Sequence, residues 1–354
     1  MLSKSHEFIR NSNINRREFL KITGMLGAGV ATSPLLVPLA EAVKFDKNLY
    51  KVSKSLPRMG TMVSITVLDG SKDRGEEAIS AAFNEIERLV KIMSRFDTTT
   101  PLYQLNSEGF LNESPPELSY LINKSKHYHS LSNGSFDITI KPILDFINQS
   151  FKKDENLSDS EEKKIKDLLR LVDSKLIYTS GKHVAFKKDG VQITLDGIAK
   201  GYIVDKATKK ISDTGIKHAL INAGGDISAI GGKEDNKPWK IAIEDPLKSK
   251  NYPSVVSIKN GSIATSGNYE VFFDKKKVLH HIINPKTGLS PLINASVSIQ
   301  APTTMEADAL STAVFLLDPN SGIKLINSIP SCKSLIVTKN QIKIKSNSWQ
   351  NSKI

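Results

Sequence analysis

The sequence predicts an α+β fold of mixed β-sheets flanked by helices, and three observations carry that prediction. Short runs alternate apolar and polar residues, as in Met62–Leu68, His183–Lys187 and Ala295–Gln300, the period of strands with a buried face. Longer stretches repeat their apolar residues at helical spacing instead. No G-x-G-x-x-G follows a strand and no Walker lysine loop is present, which disfavours both familiar nucleotide-binding folds. At 354 residues and 39% hydrophobic content, the chain can bury a large core as one large domain or two small ones.

The first strand, Met62–Leu68, follows a short linker and the turn Arg58-Met59-Gly60-Thr61. A helix is expected from about Arg74 to Ser94, because Ala78, Ala82, Phe83, Ile86, Leu89, Val90 and Met93 form one apolar stripe. It runs out at Met93-Ser94-Arg95-Phe96-Asp97 into a polar, Thr-rich turn. A second helix covers Glu117–Leu131 and stops at Asn133-Gly134. The turn Gly134-Ser135-Phe136-Asp137 follows, and there an aspartate capping Thr139 is the simplest reading. Residues 151–167 are charged and carry a Ser158/Glu161 capping box, marking a peripheral surface insertion with a helix.

Strands are expected at Leu176–Thr179, His183–Lys187 and Gln192–Leu195, then a helix over Ile198–Ser212. His218–Ile227 reads as an apolar strand broken by Gly224-Gly225, which lets another backbone or a ligand approach closely. Further strands fall at Trp239–Ile243, Val255–Lys259, Val271–Phe273 and Ala295–Gln300. A helix to about Leu317 and a β-rich tail to Ile344 close the chain.

The net charge of +12 is spread along the sequence. Clusters such as Lys275-Lys276-Lys277 are short and lack interleaved aromatics, so no nucleic-acid partner is expected. Near the start, Arg16-Arg17 precedes a weakly apolar run from Ile22 to Leu39 and a small-residue site at Ala40-Glu41-Ala42. That pattern resembles a twin-arginine export leader over residues 1–42, with an uncleaved membrane anchor as the alternative. Its removal takes away five basic and three acidic residues, lowering the net charge from +12 to +10. Cys332 is the single cysteine, so neither an intrachain disulfide nor a thiolate cluster can form.

Two stretches carry the chemistry. Ile193–Tyr202 ends an alternating run at a glycine-punctuated turn opening a helix, where backbone N–H groups and Lys200 can face one anion. In Glu306–Thr312, Asp308 and Thr312 lie four apart and share a helix face. A carboxylate, a hydroxyl and a backbone carbonyl are hard oxygen ligands suited to Mg²⁺. Each stretch alone also reads as ordinary structure, a strand–turn–helix and a helix with one buried aspartate. Thr265 and Ser266, beside Gly267, are candidate phosphate contacts or simply a turn. His280-His281 is either structural or supplies one imidazole as a base near a phosphate.

Taken in order, Met59-Gly60-Thr61, Met93–Phe96, Gly134–Asp137, Leu195–Asp205, Ala223-Gly224-Gly225-Asp226, Thr265-Ser266-Gly267, His281–Gly288 and Ala307–Thr312 resemble the ApbE family of FAD:protein FMN transferases. The resemblance spans about Met59–Leu317 and makes residues 43–354 one ApbE-like domain behind the leader. It implies Mg²⁺-dependent transfer of the FMN half of FAD to a threonine of an acceptor flavoprotein, with release of AMP. It also implies metal ligation by Asp308, Thr312 and the Gly197 carbonyl, and FAD contacts at Met59, Phe96, Ser135, Phe136, Asp137, Thr194 and Lys200. His281 falls on the family's candidate base. Three positions depart from the family pattern. Thr194 stands where an aspartate is frequent, with Asp196 two residues on as a candidate substitute; Phe96 replaces a common tyrosine, and Asn284 a frequent aspartate.

The leader adds a periplasmic location and an exported or membrane-bound redox acceptor, those serving nitrous oxide reduction included. The competing readings are an FAD pyrophosphatase giving FMN and AMP, and a non-catalytic FAD-binding assembly factor.

Overall fold

Alternation within one strand sets the architecture. The computed structural model describes residues 41–46, 49–150, 158–233, 237–249, 251–269 and 279–352. In chain order its elements begin with β1 (Glu41–Asp46), β2 (Leu49–Arg58), β3 (Thr61–Asp69), α1 (Lys72–Met93), α2 (Pro101–Glu108), β4 (Phe110–Leu111), α3 (Pro116–Leu131) and α4 (Lys141–Ser150). They continue with α5 (Asp159–Leu168), β5 (Ile177–Ser180), β6 (His183–Phe186), α6 (Ala199–Asp213), β7 (His218–Ala223) and β8 (Asp226–Ile230). The last are β9 (Trp239–Ala242), β10 (Val255–Ile258), β11 (Gly261–Gly267), β12 (Asn294–Ala301), α7 (Thr304–Phe315), α8 (Pro319–Asn327), β13 (Lys333–Thr338) and β14 (Lys343–Lys345).

Strand β3 sends Val63, Ile65 and Val67 into one core and Leu68 into another. A strand apolar on both faces must be covered on both. It lies in a nine-stranded sheet of order β1-β2-β3-β7-β8-β11-β12-β13-β14, and every described pairing is antiparallel. Helices α1, α6 and α7 cover one face through the larger core. On the other face Trp239 and Ile241 of β9, Val256 and Ile258 of β10, and Trp349 meet Leu68, Leu220, Ile227, Ile263 and Leu335. Helix α7 is buried nearly all round, as a helix without a polar face has to be.

The α+β expectation therefore holds, as do the helices at Arg74–Ser94, Glu117–Leu131 and Ile198–Ser212 within a few residues. The capping box at Ser158/Glu161 starts α5 in the charged insertion. Several expectations need correction. The short linker before Met59 contains β2, which pairs with β3 so that Met59-Gly60 is a two-residue hairpin turn. Gln192–Leu195 is not a strand, because a side chain and a carbonyl from distant parts of the chain take up its backbone bonds. The Ile193 N–H donates to the Asn106 side chain, which donates back to the Ile193 carbonyl, and the Thr194 N–H donates to Ile138. The broken strand His218–Ile227 is the β7–β8 hairpin. Helices α2, α4 and α8 occupy stretches expected as turn, loop or β-rich tail. Residues 1–40 and the strand expected at Val271–Phe273 lie outside the described residues, and β1 starts at Glu41, inside the expected leader boundary. No helix among the described residues is long and apolar enough to cross a membrane.

Candidate functional site

Two antiparallel helices meet through a matched four-residue spacing. From α6 and the turn before it come Gly197, Gly201 and Asp205; from α7 come Thr312, Asp308 and Thr304. A Cβ on Gly197 would stand 3.1 Å from Thr312 Oγ1, so backbone and hydroxyl approach closely only because the side chain is missing. One turn on, the Gly201 N–H donates to Asp308 Oδ2 at 3.0 Å. A further turn on, Asp205 accepts from the N–H groups of Thr304 at 2.7 Å and Met305 at 2.9 Å, capping α7. Helix α6 has no side-chain cap of its own, so Asp308 supplies one from the neighbouring helix. The structure thus brings Gly197, Asp308 and Thr312 together.

The turn is less open to anions than its glycines indicated. Besides Gly201, the N–H groups of Ile198 and Ala199 donate to Leu195, and that of Tyr202 donates to Ile198. The cation at this turn is Lys200, in the first turn of α6.

One end of the sheet delivers the remaining groups. The hairpin turns Met59-Gly60 and Gly224-Gly225 lie side by side because β3 pairs with β7 with Val63 opposite Ala223. All four residues have positive φ, Met59 at 53° included, which fits two-residue hairpins. A Cβ on Gly224 would stand 3.0 Å from Thr61 Cβ. Strand β11 ends at the same edge. Its Ser266 faces α7, 2.8 Å from Ser311 Oγ and 3.2 Å from Thr312 Oγ1. Thr265 points to the opposite face, bonded to Ser298 at 2.8 Å, so it is not a site residue.

Asp226, just past the Gly-Gly turn, carries no signal of a role in its local sequence. It is fully buried on the helix side of β8, with Oδ2 3.3 Å from Lys200 Nζ. Burial pushes its carboxyl up from the usual range, while the Lys200 charge pulls it back. Asp308 is pushed well above the usual carboxylate range, by burial first and then by the Asp226 charge, with Lys200 and the Gly201 N–H opposing. The donor chemistry fits a hard divalent ion: a buried carboxylate short of positive charge lies beside a hydroxyl and a close backbone turn.

The turn expected to face the flavin divides. The Phe136 ring edge lies against Gly197, with Cε2 3.3 Å from where a Cβ would be, and Tyr128 packs edge-on behind it. Ser135 is buried beside it. Asp137, expected as an FAD contact, instead spends its carboxylate on the fold. It accepts from Thr139 N–H and Oγ1, from Ser174 N–H and Oγ, and pairs with His129 Nδ1 at 2.9 Å. His129, Asp137 and Asp173 are spaced as metal ligands could be. With the Asp137 oxygens already engaged, the trio works as a loop anchor.

This anchor predicts a pH response. The bond to Asp137 raises His129 above 6.5. Burial alone would raise Asp137, but His129 and Thr139 outweigh it and hold it low. The His129 contribution to stability is therefore complete below pH 6.5 and lost as pH rises through the raised folded value. Denaturation midpoints should fall across that window in the wild type, and His129→Gln should remove that part of the slope.

Phe96 is 77% exposed, with the Arg95 guanidinium over its ring at 4.3 Å. Arg95 also donates to Asp196 at 2.9 Å and to Asp145 at 3.4 Å, and Lys141 bonds Asp145. No local pattern signals this Arg95 clamp, whose acids lie 50 and 101 residues away. Thr194 is buried, and its hydroxyl accepts the Asp196 N–H at 3.2 Å. Asp196 itself is exposed and held by Arg95, the chain neighbour of Phe96.

Of the two histidines, His280 is structural. It is buried, its Nε2 lies 2.9 Å from the Pro291 carbonyl and it packs edge-on against Phe315 of α7. His281 is the half-exposed member, its ring centroid 6.4 Å from that of His280. Asn284 closes the following turn by accepting the Lys286 N–H.

Residues 59–336 match the model of the ApbE family. The FAD:protein FMN transferase of Haemophilus influenzae is 26% identical over 338 residues, covering 91% of this chain and 96% of the relative. The crystal structure of the ApbE protein of Thermotoga maritima is similar at a TM-score of 0.76 and 28% identity, covering 84% of this chain and 97% of that one. The flavin transferase ApbE of Vibrio cholerae shares the fold at a TM-score of 0.73 and 21% identity, covering 88% and 98%.

Proposed function

The chain belongs to the ApbE family, and from that premise we propose that it transfers the FMN half of FAD to a threonine hydroxyl of an acceptor protein, releasing AMP with the help of Mg²⁺. The observation that carries this reading is the ladder of Gly197 and Gly201 against Thr312 and Asp308, with Lys200 beside it. Asp308, Thr312 and the Gly197 carbonyl would hold the ion. When bound it neutralises charge on the diphosphate and lowers the barrier to displacement at phosphorus.

The chain's own groups do the rest. Lys200 places an ammonium at the diphosphate, where negative charge grows as the bond to AMP breaks. Phe96 offers its exposed ring to the flavin, and Met59 and the Phe136 loop supply the further flavin contacts. His281 takes the proton from the threonine hydroxyl as its oxygen bonds to the FMN phosphorus, and AMP departs with the former bridging oxygen. Residues 1–42 serve as the twin-arginine leader, which places the enzyme in the periplasm and its acceptor among exported or membrane-bound redox subunits.

The test is direct. Protein lacking residues 1–42 is mixed with FAD, Mg²⁺ and a candidate acceptor, and flavin fluorescence is sought on the acceptor band of a denaturing gel, with AMP in the supernatant. FMN and AMP without a labelled acceptor would replace the transferase with a pyrophosphatase. Bound FAD without AMP would leave a carrier.

A further inference from the structure

A carboxylate with no exposure is expensive to keep unless something holds it. Asp226 comes close to that, its side chain 3% exposed, and no well-directed hydrogen bond reaches its Oδ2. Its 3.3 Å approach to Lys200 Nζ is an ion pair short of a directed bond. Nothing about the β8 backbone requires an acid here, since the turn before it is made by Gly224 and Gly225 and the register with β7 by backbone pairing.

The lysine, by contrast, has much to gain. Its side chain is 30% exposed, and a four-carbon stem offers its charge many positions, among which its partners select. Asp226 is anchored in the central sheet, and Lys200 sits in the first turn of α6 beside the Gly201 N–H that holds Asp308. The carboxylate therefore ties the Lys200 ammonium to a rigid strand, facing the helix pair that carries Thr312 and Asp308.

We propose that Asp226 is the positioning residue for Lys200: it fixes the ammonium where the nucleotide diphosphate is engaged, acting on the reaction only through the lysine. The inference rests on the transferase reading for its kinetic consequence and on the ion pair alone for its structural one. A role through Lys200 differs in kind from direct service to the cation. If Asp226 served the ion itself, its loss would cost activity whether or not the lysine were present.

A double-mutant cycle separates these cases. In metal-free full-length protein, Lys200→Met leaves the buried carboxylate without its counter-charge, so Tm should fall by several degrees, and adding Asp226→Asn should restore it. In flavin transfer, Asp226→Asn and Lys200→Met should each lower kcat about 10- to 100-fold, and the double variant should be no slower than Lys200→Met alone. Losses that multiply in the double variant, or a Tm deficit that Asp226→Asn leaves uncorrected, would overturn the proposal. Should Asp226→Asn alone fold poorly, Lys200→Met against the double variant still gives both comparisons. The thermal arm needs no acceptor, so it decides the pair even if transfer is never seen, an outcome that would instead sink the transferase reading.

Discussion

Asp308→Asn is expected to abolish flavin transfer, by about a thousandfold or more, while leaving the metal-free protein at least as stable as the wild type. The two halves of that expectation come from one geometry. The amide retains an oxygen that can accept the Gly201 N–H, now given to Oδ2 at 3.0 Å, so the cross-helix cap survives. What disappears is a buried negative charge whose carboxyl burial and Asp226 push well above the usual range. Removing a charge that the fold holds at a cost relieves the fold, as is common at functional sites. The same charge is what a divalent ion needs, and losing about 4 kcal/mol of transition-state stabilisation corresponds to roughly a thousandfold in rate.

A second readout is independent of catalysis. Adding Mg²⁺ should raise the melting temperature of the wild type through preferential binding to the folded state, and should leave Asp308→Asn unmoved. Wild-type activity in the variant, or an equal rise in melting temperature, would remove Asp308 from the metal site.

The legible parts of this molecule are those whose signal is local. The α1 stripe and the β3 alternation are written within single elements, and each structure follows its period. The Asp308/Thr312 pair was visible for the same reason, since four residues on one helix fix a shared face. Thr265 shows the limit. Adjacent hydroxyls on a strand point to opposite faces, and only the phase of β11 against β12 and α7 tells which one reaches the site.

Asp226 was hidden because its meaning lies in Lys200, which the fold brings to it from another element. Gln192–Leu195 misled for the opposite reason: its alternation is real, but its backbone partner is the side chain of Asn106 and not a strand. For α2 and α8 the signal lies in the cap and not in the period. Thr100-Pro101 and Asp318-Pro319 each place a side-chain cap before a proline in the first turn, a helix start too short for periodicity to advertise.

Gly201→Ala is expected to be among the most damaging single-methyl changes in the protein, destabilising it by about 3 kcal/mol. On an open helix the substitution would help, since alanine is favoured over glycine by about 1 kcal/mol. Here the added methyl would overlap the Thr304 carbonyl oxygen and lie 2.7 Å from its carbon and 2.8 Å from Met305 Cα. Those are backbone atoms of α7 held by the Asp205 cap, so no side chain can rotate to make room. The helices must separate, and Asp308 then loses the Gly201 N–H that sets its carboxylate. Gly75→Ala in α1 is the matched control, because its methyl meets Val52 Cγ2 at 2.8 Å, a side chain with some freedom to shift. Urea denaturation of both variants should show the larger loss at Gly201, with transfer activity lost there beyond the unfolded fraction. If Gly201→Ala proved neutral, the close approach that places Asp308 and Thr312 against the α6 turn would be wrong, and the candidate metal site with it.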